Sequence, residues 1–409
     1  MTGEQCRLKY CSFQGDAIIR RCWSNFMESV LIKSTVPAEN IYQFLGVKPV
    51  ISATGTVTAY GGSKLRPEVI DVMNKASQTM VSIDELNLAA GKLIAAHTGA
   101  EAGLVTSGAA GGLVLQAAAV VAGADPVNMS RLPDTAGMKN EIIIHKSHRF
   151  PYDQCYLSVG ARFVEIGDGR RCQPWELDKA FTQNTAAVAY LFSPFVSRNS
   201  LPFKYVCEVA HSRGLPVIVD AASYIPPRAN LKRFIEEGAD LVVYSGGKGV
   251  RGPQGTGILC GRSHLVEAAY ANTSPHQFIG RGMKVAKEEI IGLVKALEMF
   301  IGEDEEAETI RYKEMCQKVV DALVEIPNLD VDMVHDDYDY LIPQVRLRFE
   351  TSWNGPSRDA VYGSMVNGDP SIYLHNIGSP LELGVDPFNL TNEELEIVID
   401  RLHEVLVST

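Results

Sequence analysis

Between residues 141 and 261 the chain carries six short runs that are apolar almost from end to end: EIIIH (141–145), ARFVEI (161–166), AAVAYLF (186–192), LPVIVD (215–220), DLVVYS (240–245) and TGILCG (256–261). Runs of this length bounded by turn residues read as strands, and near-continuous apolarity means that both faces are covered. Helix-period stretches occupy the gaps, at 84–98, 108–122, 201–213 and 230–237. Strands alternating with crossover helices make a parallel or mostly parallel sheet, so the fold class is α/β.

After residue 285 the pattern changes. KEEIIGLVKALEMF and EEAETIRYKEMCQKVVDALVEI repeat apolar residues every three or four positions, as long amphipathic helices do. Strands are expected at 329–335, 343–349 and 370–375, and a closing helix at 392–407. With 409 residues the chain is too long for one core, so the expected division is an N-terminal extension over 1–36, a large domain over 37–285 and a small α+β domain over 286–409. No internal repeat or low-complexity segment interrupts it.

Composition narrows the partners. Hydrophobic residues at 46% and charged residues at 21% are those of an ordinary soluble globular protein. A net charge of -11 repels phosphate-rich polymers, so no nucleic-acid partner is expected. The eight cysteines are scattered without the close pairs of zinc or redox motifs, which predicts reduced thiols in a cytoplasmic protein and no metal. No apolar stretch is long enough to span a membrane, and GDAIIRRCWSNFMESVLIKS near the start lacks the layout of a secretory signal.

Two strand ends carry the chemistry. Asp220 closes the apolar run of LPVIVDAAS, where an isolated carboxylate is expensive; the plain alternative is a helix cap or loop residue. Twenty-eight residues on, DLVVYS runs into GGKG, so two parallel strands bring Asp220 and Lys248 to one carboxyl edge, the edge at which open α/β sheets bind ligands. TSGAAGGLVLQAAAVVAG (106–123) adds small residues at the start of an apolar helix, an anion site at Ser107, Gly108 and Ala109, although helix packing alone also explains such a turn. It is neither GxGxxG nor GxxxxGK[ST]. A phosphate cradle, a strand-end acid and a lysine past the next strand form the layout of fold type I pyridoxal 5′-phosphate (PLP) enzymes. In that layout a desolvated lysine amine meets the cofactor aldehyde and the acid keeps the pyridine nitrogen protonated. The glycines around Lys248 are expected to let the backbone pass close beneath a flat ring.

From about residue 47 the chain resembles the selenocysteine synthase (L-seryl-tRNA(Sec) selenium transferase)-related family, and within it the D-glucosaminate-6-phosphate ammonia-lyase branch. The resemblance is carried by ISATGTVTAYGGS (51–63), SGAAGG (107–112), LPVIVDAAS, DLVVYSGGKGVRGPQGTGILCG and IGRGMKVAKEEIIGL (279–293). It implies Lys248 as the cofactor-bearing lysine, Asp220 at the pyridine nitrogen, and Ser107, Gly108, Ala109 and Ser245 around the phosphate. His148, in HKSHRFPYD, becomes a residue that stacks on the ring or acts as an acid, against the alternative of a satisfied loop histidine. Arg281 becomes a ligand for a substrate carboxylate or phosphate, against that of a solvated arginine. Tyr60 and Thr54 lie on a glycine-rich segment that could approach the site, from this or a neighbouring subunit.

The reaction so implied is α,β-elimination, with loss of water and then ammonia from a 3-hydroxy amino acid or amino sugar acid, phosphorylated or not, to give a 2-keto acid. Selenium-transfer-like β-replacement on a seryl substrate, and a PLP-dependent aldolase or aminotransferase reaction, are the alternatives. The ammonia-lyase branch has an acidic residue shortly after the DAA triplet where this chain has Ser223 and Tyr224, which leaves the substrate open. Sites of this fold type lie between subunits, so a homodimer or larger homo-oligomer is expected.

Overall fold

All six apolar runs form strands in a computed structural model that describes residues 41–194, 196, 199–376 and 379–407. The extension expected over 1–36 lies outside the described residues. The strands are β1 (Val50–Ala53), β2 (Ala102–Ser107), β3 (Glu141–His145), β4 (Arg162–Ile166), β5 (Thr185–Leu191), β6 (Val217–Asp220), β7 (Leu241–Ser245), β8 (Thr256–Gly261), β9 (Asp330–Val334), β10 (Gln344–Arg348), β11 (Ser371–Leu374) and β12 (Glu382–Val385). Seven of them make the main sheet in the order β2-β8-β7-β6-β5-β3-β4.

Five neighbours in that sheet, β4 through β7, run parallel, with Asp220 paired to Val243 in the register of β6 and β7. β8 is antiparallel to β7 on one side and to β2 on the other. Two reversals restore the original direction. β2 therefore ends at the same carboxyl edge as β6 and β7 and delivers Ser107 there, although its short, small-residue sequence AGLVTS does not read as a strand.

Alternate residues of the sheet enter two separate cores, as a doubly covered sheet requires. Ile143, Val188, Val219, Val242 and Tyr244 face one, and Ile142, Ile144, Ile218, Leu241 and Val243 face the other. The second core is covered by a helix buried nearly all round, α3 (Gly108–Val121), which follows α1 (Pro67–Ser77) and α2 (Ile83–Thr98) in the chain. Gln116 anchors α3 by donating from Nε2 to the Val219 carbonyl at 3.1 Å.

The C-terminal layer has its own core, built on the antiparallel sheet β12-β10-β9 and the parallel pair β1-β11. The helix α4 (Lys287–Gly302) is expected beyond the division at residue 285, yet Ile290, Leu293, Ala296, Leu297 and Phe300 bury its apolar stripe in the first core of the main sheet. α5 (Glu305–Leu323), α6 (Arg358–Val366) and α7 (Asn392–Val407) belong to the C-terminal core, through residues such as Tyr312, Val361 and Leu402. β1, from the start of the described chain, pairs with β11 and so joins the C-terminal layer as well. Val50 to Thr409 form one unit, and residues up to Pro49 belong to another. Among the described residues no helix is long and apolar enough to cross a membrane.

Candidate active site

Asp220 is the last residue of β6 and is buried, with Oδ1 accepting from the Ala222 amide at 3.0 Å. Lys248 sits three residues past the end of β7, and the two side chains act on each other's charge. Burial raises the Asp220 carboxyl above the usual range, with the Ala222 amide and Lys248 pulling the other way. Burial likewise lowers the Lys248 ammonium, and Asp220 opposes it. For both partners desolvation outweighs mutual attraction, as it does for many buried pairs. A neutral lysine amine is thereby favoured beside a carboxyl group that a cation would return to its charged form.

The glycines around Lys248 have reasons that involve no ligand. A Cβ on Gly246 would lie 2.3 Å from Thr256 Oγ1, one on Gly247 2.6 Å from Gln254 Cα, and one on Gly249 2.3 Å from the Ile225 carbonyl oxygen. The turn is packed against its neighbours, and that packing by itself calls for glycine at these positions. The residue here in the left-handed region is Arg251, with φ 57°.

Ser107 and Ser245 pair with Thr256 and Gly257, adjacent residues at the start of β8, so both reach one edge. Gly108, at φ 66°, turns the chain into α3. Its amide donates to the Gly255 carbonyl at 2.8 Å and is thereby occupied, so its part is the turn itself. The Ala109 and Ala110 amides, in the first turn of α3, have no intrahelical acceptor and together with the Ser107 hydroxyl can bind an anion.

His148 is buried in a short 3-10 turn after β3 and lines a small cleft together with Asp220, Tyr156 and Tyr190. Its Nδ1 accepts from the Leu191 amide at 3.3 Å, and its ring meets Tyr190 edge-on at 4.6 Å. Burial, and His145 beside it, pull its pKa down to about 3. An occupied Nδ1 acceptor puts the proton of the neutral ring on Nε2. His148 is thus a neutral donor or stacking partner and holds no extra proton to give as an acid near neutral pH. Burial, with Asp220 nearby adding to it, raises the pKa of Tyr156 and Cys155; neither stands out in the sequence because each lies in an unremarkable helical stretch.

The remaining expected residues lie elsewhere. Arg281 is exposed, on the loop that packs Met283 near Gly111 and Ser107. Thr54 is buried, with its hydroxyl 3.0 Å from Ser52 Oγ and its backbone bridged to Asp386. Tyr60 stacks on Tyr373 at 4.1 Å and bonds to Tyr362, both in the C-terminal layer. The glycine-rich segment does touch the lysine turn, through Ser63 Oγ donating to the Lys248 carbonyl at 2.9 Å and Gln254 Nε2 donating to Thr58 Oγ1 at 3.2 Å. Ser223 lies 3.2 Å, hydroxyl to hydroxyl, from Ser193.

The family description aminotransferase class-V matches residues 132–329. A 5'-C-glycyluridine monooxygenase-decarboxylase of a Streptomyces species is 36% identical, over 90% of this chain and 92% of its own length. D-glucosaminate-6-phosphate ammonia lyase of Salmonella typhimurium is 33% identical, over 90% and 98%. A solved structure of D-glucosaminate-6-phosphate ammonia-lyase superposes with a TM-score of 0.80 at 31% identity, covering 90% of this chain and 99% of that one. An L-seryl-tRNA(Sec) selenium transferase of Clostridium botulinum is 27% identical, over 64% of this chain and 59% of its own.

Proposed function

We propose a reaction from one premise: the chain belongs to the aminotransferase class-V family of pyridoxal phosphate enzymes. The reaction is α,β-elimination of water from a 3-hydroxy amino acid or amino sugar acid, phosphorylated or not, after which one water hydrolyses the resulting imine, releasing ammonia and leaving a 2-keto acid. When bound, the cofactor supplies an electron sink for charge developing at the substrate Cα. The chain's own residues do the rest. Lys248 would carry the cofactor, and its amine, whose charged form burial disfavours, is the group placed to take the Cα proton and return it. Asp220 would hold the ring nitrogen, whose proton would supply a cation beside the buried carboxyl group. Ser107 and the Ala109 and Ala110 amides hold the phosphate, with Gly108 turning the chain and Ser245 beside it. His148 covers the ring as a neutral partner.

The buried pairing of Asp220 with Lys248 carries this reading, because a lysine and a carboxyl that burial drives toward neutrality suit a cationic nitrogen and an electrophilic carbon. Similarity over nearly the whole length of an ammonia lyase supports elimination among the reactions this cofactor allows. Arg281, Tyr60 and Thr54 are assigned to substrate contact less directly, Arg281 through its exposed position two residues before Met283, which lies near Gly111. The protein works as a cytoplasmic homodimer on a small amino-acid substrate.

The test is incubation with D- and L-3-hydroxy amino acids and amino sugar acids, with and without phosphate, following keto acid and ammonia together. Equimolar release of both from one class is expected; release of neither across the panel sinks the proposal. The monooxygenase-decarboxylase relative supports a second reading, oxidative decarboxylation of an amino acid substrate. An oxygen electrode separates the two, since elimination consumes no O2.

A further inference from the structure

From its geometry we infer that Arg251 is a positioning residue that sets the direction of the Lys248 side chain by tying the lysine turn to the C-terminal layer. The inference rests on the reading that Lys248 carries the cofactor. Arg251 adopts φ 57°, a region that favours glycine, in a stretch where Gly249 and Gly252 stand on either side. Asn328 shares this feature among the described non-glycine residues, but asparagine tolerates that region and arginine does not. Glycine would relieve the backbone here, so what distinguishes arginine is its side chain.

That side chain reaches out of the main sheet. Arg251 Nη2 donates to the Phe388 carbonyl at 2.8 Å and to Tyr312 Oη at 3.0 Å, and the guanidinium lies 4.4 Å from the centre of the Phe388 ring. Tyr312 is on α5 and Phe388 follows β12, and both belong to the C-terminal core. At the other end the Arg251 amide donates to the Lys248 carbonyl at 2.9 Å, where Ser63 Oγ also donates at 2.9 Å. Two donors from different parts of the chain fix one peptide plane. The orientation of that plane decides whether the Lys248 amine faces Asp220.

Arg251→Gly keeps the backbone conformation open and removes the anchor. In the holoenzyme the pH midpoint of the visible absorbance is expected to move by at least about half a pH unit. In the full chain stripped of cofactor, competitive acetic-anhydride labelling read at Lys248 by mass spectrometry should show its midpoint moving toward that of a solvated lysine. A lower melting temperature with both midpoints unchanged overturns the inference, because a merely structural arginine would do that. Should Arg251→Gly fail to fold, Tyr312→Phe, which removes one acceptor, decides in its place: a smaller shift in the same direction supports the inference and no shift overturns it. Wild-type protein that borohydride fails to label with pyridoxyl at Lys248 would sink the cofactor reading instead, and the labelling comparison would still judge Arg251.

Discussion

Lys248 and Asp220 each sit where burial favours the uncharged form, and neither can be replaced without stranding the other. Lys248→Ala is expected to lower turnover by roughly 10²–10⁴-fold or more, since a positioned proton-transfer group is worth that much, and to leave cofactor that borohydride no longer fixes to the chain. Asp220→Asn should reduce the rate by at least about tenfold and loosen the cofactor, because a neutral amide does not hold the ring-nitrogen proton. Equilibrium dialysis and steady-state rates check both. A second buried acid tests the electrostatics apart from catalysis. Burial raises Asp386 to about 6, against the Phe388 amide that donates to Oδ1 at 2.9 Å, while Gln344 Nε2 donates to Oδ2 at 2.8 Å. A carboxyl whose folded value lies above its unfolded one stabilises the fold in acid and loses that contribution as pH rises from about 4 through 6. Asp386→Asn should therefore raise stability at pH 8, by at most about 3 kcal/mol, with the gain vanishing near pH 4 in denaturant melts.

Among the elements, the lysine turn and the acid-bearing strand are legible in sequence because long apolar runs end abruptly in chemistry. β2, β1 and β12 are not, since AGLVTS, VISA and ELGV are short and lean on small residues whose strand character comes from neighbours. The reversal of β8 is equally hidden: TGILCG suits either direction, and pairing is decided by the connections around it. His148 stands out in sequence only through the family resemblance, with its burial supplied by the fold, and Arg251 reads as one more charge among glycines. Close backbone approaches are invisible for the same reason. A Cβ on Gly257 would lie 2.5 Å from the backbone carbon and oxygen of Gly108. Gly257→Ala should push the start of α3 off the sheet, destabilise the protein by about 1–3 kcal/mol and weaken cofactor binding with it. Thermal melts with and without cofactor would register both, and a melt unchanged from wild type would mean that the contact relaxes freely.

At the scale of the whole molecule, the first two long helices and the segment between them carry exposed apolar side chains. Ile70, Met80, Val81 and Leu88 are 51%, 89%, 49% and 63% exposed, and the proposed homodimer would cover them. Met80→Asp combined with Leu88→Asp should shift a dimer measured by light scattering to monomer, and a wild-type monomer at micromolar concentration would contradict the assembly.

The pairing of Val50–Ala53 with Ser371–Leu374 bears on how the polypeptide is born. During translation the early strand leaves the ribosome long before its mate exists, so β1 stays an open edge until more than three hundred further residues, through Leu374, have been made. Release of a chain stalled short of residue 371 would leave that edge bare, a ready target for chaperones and proteases, whereas emergence of β11 seals it in a single late step.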